Sequence, residues 1–136
     1  MTPEPNINAI LICDHVIVDK FSGKKSLIGI FENINSPVFP VAHPTLSIYI
    51  SMTDAEGKYA IGLKVVDLET DKEVGGAEIP EIEVHDRLAT SEVIMNMRGI
   101  RFSHPGKYVF NIFANGYPVG SKTFSVVKVE SGSSNE

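Results

Sequence analysis

The chain has 136 residues, 43% of them hydrophobic, and 17 acids against 12 Lys and Arg give a net charge of −5. That length suits one domain able to bury roughly two-thirds of its unfolded surface, and the apolar content excludes disorder for its body. Basic residues scattered singly make no face for nucleic acid, and a lone cysteine, Cys13, excludes an internal disulfide.

Met1 to Asn6 carries two prolines and an acid where a signal peptide would need positive charge, so residues 1–6 read as a flexible start. Ile7 to Asp19 is the first strand, apolar on both faces as a central strand should be. Its longest apolar run, Ala9 to Cys13, is far too short to span a membrane. A Ser22-Gly23 turn leads into a second strand, Leu27 to Ile34. The next stretch, Ser36 to Pro44, holds three prolines. They forbid helix and predict an extended crossing between two sheets.

Leu46 to Met52 alternates cleanly, with Leu46, Ile48, Ile50 and Met52 on one face. A turn at Asp54 to Gly57 precedes a fourth strand whose Tyr59, Ile61, Leu63 and Val65 face the core. Glu73 to Val84 is broken by Gly75-Gly76 and Pro80, so it belongs on an edge. Ser91 to Phe102 follows, with a bend expected at Gly99. Lys107 to Asn115 and Val119 to Val129 complete eight strands, and residues 130–136 read as a disordered tail. The whole predicts an all-β, single-domain antiparallel β-sandwich over residues 7–129, immunoglobulin-like or jelly-roll-like.

The last hairpin permits a sharper expectation. With a plain two-residue turn at Asn115-Gly116, Phe110 would face Ser121, and Phe124 would land on the opposite side of the sheet from Phe110. For both to enter the core, the connection from Asn115 to Gly120 must contain a bulge or an odd number of residues.

Chemistry is sparse. Cys13 and His15 share a strand face about 7 Å apart, a separation that suits two ligands of one metal. No CxxC or HxxxH accompanies them, so a buried thiol beside a half-buried histidine explains them as well. Asp14 points to the other face, either a functional acid or a structural one held by hydrogen bonds. His15, His43, His85 and His104 come from separate segments; two or three converging with an acid would make a metal or acid–base site. Nine acids between Asp67 and Glu92 are the strongest asymmetry of the chain. Asp67, Glu69, Asp71 and Glu78 mimic the spacing of a calcium loop, but Lys72 stands where that loop needs glycine. The run also offers a binding edge for a basic protein partner at Glu78, Glu81, Glu83 and Asp86, or simply a solvated edge that blocks aggregation. No nucleophile elbow or phosphate loop is present, and no cofactor is expected.

Two stretches carry a resemblance. LICDHVIVDKFSGKKSLIGIFENINSPVFPVAHP and HPGKYVFNIFANGYPVGSKTFSVV resemble a family of small, uncharacterised bacterial proteins, a domain of unknown function. The resemblance covers most of the chain and is weakest from about Thr53 to Thr90. It implies a single bacterial β-sandwich without assigned catalytic residues, and it singles out Cys13-Asp14 and Gly29-Ile30-Phe31.

The functional expectation is a non-catalytic module acting by protein–protein contact, a homodimer included, in the reducing cytoplasm, with neither nucleic acid nor membrane as partner. A small-ligand or carbohydrate-binding module is the alternative, with Tyr49 and Tyr117 as aromatic platforms. A metal-dependent enzyme using His and carboxylate comes third.

Overall fold

Among the described residues, alternating apolar and polar residues build nine strands: β1 (Asn6–Val18), β2 (Lys25–Ile30), β3 (Asn33–Ser36), β4 (Val41–Thr53), β5 (Gly57–Asp67), β6 (Glu73–Val84), β7 (Ser91–Phe102), β8 (Gly106–Ala114) and β9 (Tyr117–Lys128). The structure, a computed structural model, describes residues 2–130. One sheet has the order β2-β1-β4-β7 and the other β3-β9-β8-β5-β6. Between them lies a single core in which Ile48, Leu63 and Phe110, from three different strands, are fully enclosed.

Two expectations need correction. The strand predicted over Leu27 to Ile34 is broken at Phe31-Glu32, giving nine strands rather than eight. Its second half, β3, crosses to the other sheet and pairs with β9 in parallel, so the sandwich is not wholly antiparallel. The proline-rich stretch then carries the chain back to β4, the crossing the prolines predicted.

The order β9-β8-β5-β6 opposite the β4-β7 pair reproduces strands G-F-C-C′ facing B-E of an immunoglobulin-type sandwich. Near the start of β8, Tyr108 donates its hydroxyl proton to the carbonyl of His104 at 2.6 Å, the tyrosine corner of that fold. The immunoglobulin-like alternative therefore holds, with β1 as an added strand between β2 and β4.

The final hairpin contains its predicted bulge. Asn115 and Gly116, both at positive φ, make a tight two-residue turn with Ala114 opposite Tyr117. The register then slips between Ile112 and Phe113, which brings Phe124 opposite Tyr108 and into the core. On edge strand β6, a similar slip accommodates Pro80, whose missing N–H costs nothing there.

Thr2 to Pro5 have no regular structure, yet Pro5 is buried and the Pro3 carbonyl accepts a 2.6 Å bond from the buried Tyr59 hydroxyl. Of the predicted tail, residues 131–136 lie outside the described residues.

Candidate functional site

The site is made by β1 leaving its sheet. β1 pairs with β4 only as far as Cys13, opposite Ser47. Beyond that point the β1–β2 hairpin bends back over the outer face of the sheet. Three observations require the bend. Through Ser51, Glu92 lies level with Ala9, while Lys25 lies level with Val18. Those two points on β1 would be about 30 Å apart if it ran straight, yet Lys25 Nζ and Glu92 Oε1 are 2.8 Å apart. Cys13 and Ser47, both on the outer face, are nevertheless buried. Finally, past Asp14 the hairpin is covered on one side only: Val16 and Leu27 are half-buried whereas His15 and Ile28 are exposed.

The bend occurs where Asp14 meets Gly29. Gly29 has φ +71°, a left-handed conformation that glycine adopts freely. A Cβ there would stand 2.5 Å from Asp14 Oδ2, so the carboxylate lies directly against the glycine. Gly29 therefore admits a close approach, and the partner it admits is an acidic side chain.

A second kink brings in His43. Pro44 and Gly99, also at positive φ, stand opposite each other on β4 and β7. Before them His43 and Val41 pair with Ile100 and Phe102; after them Leu46 pairs with Met97, and inward-facing residues switch from odd to even along β4. His43 is thereby turned inward, where its ring lies 5.2 Å from that of Phe31 and its Nε2 lies 3.4 Å from Asp14 Oδ1. Asp14, Gly29, Phe31 and His43 line a groove of about 730 Å³, with Glu32 and, on β3, Asn33 and Asn35. The Asp14 side chain is 46% exposed and that of His43 23%, so both reach solvent in the groove.

The other expected residues are dispersed. Cys13 is fully covered; burial first, then the neighbouring Asp14 charge, pushes its thiol pKa up, so it is a poor nucleophile and ligand. His15 and His85 are exposed and His104 meets Asp67 rather than Asp14, so the four histidines do not share a site. Among the described residues no three His, Cys, Asp or Glu side chains come together as a metal would require. The calcium-like spacing does not close either. Glu78 stands opposite Gly62, five residues up β5 from Asp67. Glu78, Glu81 and Glu83 project from edge strand β6, and Asp86 accepts the Leu88 N–H in the turn beyond it. Tyr49 is half-buried with its hydroxyl engaged with Glu92, whereas Tyr117 is exposed.

Phe31 escaped the residue-by-residue reading as a site member, and Asp67, weighed only for its calcium-like spacing, was not foreseen as the partner of His104. Phe31 had a signal in the Ile-Gly-Ile-Phe run, whereas Asp67 was one acid among nine.

The sequence matches, over residues 8–127, the family described as Family of unknown function (DUF6941). The chain belongs to that family. Its matched span contains the whole groove, and the resemblance read from Cys13-Asp14 and Gly29-Ile30-Phe31 is thereby identified. No curated protein matches the sequence. Among solved structures, an alkylpurine DNA glycosylase of Pseudomonas fluorescens, bound to DNA containing an abasic site analog, is similar at 13% identity with a TM-score of 0.54. That match covers 90% of this chain but 30% of the glycosylase, so the likeness is to one part of a longer enzyme and shows a shared fold. An immunoglobulin-like protein of Pseudomonas aeruginosa matches at 11% identity and a TM-score of 0.43, over 91% of this chain and 97% of its own.

Proposed function

We propose that this protein is a non-catalytic interaction module that recognises a second copy of itself through the β1–β2 hairpin. The observation that carries this reading is where apolar surface is exposed. Ile17, Val18, Phe21, Ile28 and Ile30 are five of the ten large hydrophobic residues exposed among the described residues, and all five lie on this one hairpin. Clustered exposure of that kind marks interaction surfaces, whereas scattered exposure is ordinary.

The free edge of the hairpin supports the same reading. Edge strand β6 is guarded by Pro80, Glu78, Glu81 and Glu83. Edge strand β2 has neither proline nor charge from Ser26 to Ile30, and Lys25 is already paired with Glu92. An unguarded edge accepts another strand by main-chain hydrogen bonding. Two copies meeting antiparallel there bring no like charges together, although each chain carries −5. The same charge argues against carrying over the DNA contact named for the glycosylase. A single thiol kept under the hairpin suits a reducing compartment, the cytoplasm.

Sedimentation velocity across a wide concentration range tests this. Dimers are expected for the wild type and monomers for Ile28→Asp/Ile30→Asp, while Glu81→Ala on the opposite edge leaves the dimer intact. A wild type that stays monomeric, or a doubly substituted hairpin that still dimerises, overturns the reading.

The groove favours a second reading, a small polar ligand held by Asp14 and His43 against Phe31. A thermal-shift screen with sugars and nucleotides tests it, since a ligand at a hundred times its Kd adds about 2.7 kcal/mol of stability. Shifts that survive Asp14→Ala would sink this second reading.

A further inference from the structure

At the tyrosine-corner end of the sandwich, one imidazole joins two turns. His104, in the β7–β8 turn, has Nε2 2.6 Å from Asp67 Oδ2 at the end of β5 and Nδ1 2.7 Å from the Pro105 carbonyl. Glu69 Oε2 approaches the same Nδ1 at 3.7 Å. A neutral imidazole donates from one nitrogen and presents a lone pair at the other. Here both nitrogens face oxygens, and neither the Pro105 carbonyl nor an ionised Asp67 can donate. The arrangement is satisfied only when the ring carries both protons.

The contacts around it transmit this to the β5–β6 turn. Asp67 is buried, and its Oδ1 accepts the Glu69 N–H at 2.9 Å. The Asp67 carbonyl accepts from Asp71 N–H, the Asp67 N–H bonds to the Lys72 carbonyl, and Leu68 N–H reaches the Lys107 carbonyl. Asp67 is thus the hub of the turn, and His104 holds it from outside. We propose that His104 is a pH-gated clasp: doubly protonated it pins the β5–β6 turn to the β7–β8 turn by a charged bond to Asp67, and on losing a proton it gives up that charge and loosens its hold on the turn.

The charged and titratable groups facing the ring are Asp67, Glu69 and Tyr108. The Tyr108 ring lies 5.9 Å away and its hydroxyl is spent on the His104 carbonyl. Lys107 directs its ammonium to Ser125 and does not oppose the imidazolium. The Pro105 carbonyl, then the Asp67 carboxylate, hold the His104 pKa above its ordinary value. A raised histidine pKa means the clasp is fully closed below the ordinary value and opens as pH rises through the folded one. For Asp67 burial acts upward, but the bonds from Glu69 N–H and His104 outweigh it and hold its pKa below the carboxylate norm. At the acid end, therefore, the clasp persists until pH falls through that lowered value.

Two NMR measurements on the full chain test the clasp. Imidazole 15N and 1H shifts of His104 should titrate with a midpoint above that of a blocked peptide spanning Ser103–Lys107, with both nitrogens protonated below it. Hydrogen exchange of the Leu68 and Glu69 amides, corrected for intrinsic rates, should lose protection across the same pH interval in the wild type. In His104→Gln protection should be low and pH-independent. A His104 midpoint at or below that of the peptide overturns the proposal, as does protection of these amides that ignores the His104 titration. The wild-type titration stands even if the variant does not fold.

Discussion

Replacing Gly29 by alanine tests the bend that makes the groove. An L-residue held at φ +71° costs about 1–2 kcal/mol. The new Cβ would also stand 2.5 Å from Oδ2, 3.1 Å from Cγ and 3.4 Å from Cβ of Asp14. Rotating the carboxylate tip alone does not clear all three, so the whole Asp14 side chain must swing and its bond to His43 is lost, about 0.5–1.5 kcal/mol. The lower chain entropy of alanine in the unfolded state returns about 0.4–1 kcal/mol. The balance is a destabilisation of about 2 kcal/mol. Urea unfolding followed by circular dichroism should show a lower midpoint with an unchanged slope. Asp14→Ala and the double variant complete a cycle: the backbone strain persists without Asp14 and the contact penalty disappears, leaving a coupling of about 1 kcal/mol. A Gly29→Ala protein as stable as wild type, or a cost of the same size in both backgrounds, would refute the packing of Asp14 on Gly29.

Three further outcomes follow from the core and its corner. Tyr108→Phe leaves the His104 carbonyl without its donor and should cost about 1–3 kcal/mol in denaturant unfolding. Phe124, fully buried with Phe31, Phe102 and Phe110 around it, should cost about 3–5 kcal/mol when cut to alanine, with the loss read as a fall in Tm. Because the folded pKa of Asp67 is lowered, its stabilisation is present above the ordinary carboxylate range and disappears as pH falls through the lowered value. Stability measured from pH 7 down to pH 2 should therefore decline less steeply in Asp67→Asn than in the wild type.

Parity carried the sequence reading far. Ile48, Leu63 and Phe110 follow from alternation, and the conflict between Phe110 and Phe124 exposed the bulge before Gly120. Alternation misleads where a strand kinks, and the groove is built at such points. Pro44 opposite Gly99 turns His43 inward, and Asp14 opposite Gly29 turns the hairpin over. Each kink is legible as a glycine or proline inside a strand, but its effect depends on the residue across the ladder, which a single sequence does not specify. The split at Phe31-Glu32 has the same origin: the run is continuously strand-forming, and only the choice of sheet partner divides it. His104 and Asp67, 37 residues apart, meet because β5 ends where β8 begins, a matter of topology rather than of local pattern.

The folded-back hairpin makes Cys13 a built-in gauge. Its sulfur, bonded to the His15 carbonyl beneath the overlying strands, is shielded while the Lys25–Glu92 tether holds. Every lift of the flap uncovers a thiol that a disulfide reagent can trap. The labelling rate thus counts openings one by one, and cutting the tether with Lys25→Ala should quicken the clock while leaving the rest of the sandwich closed.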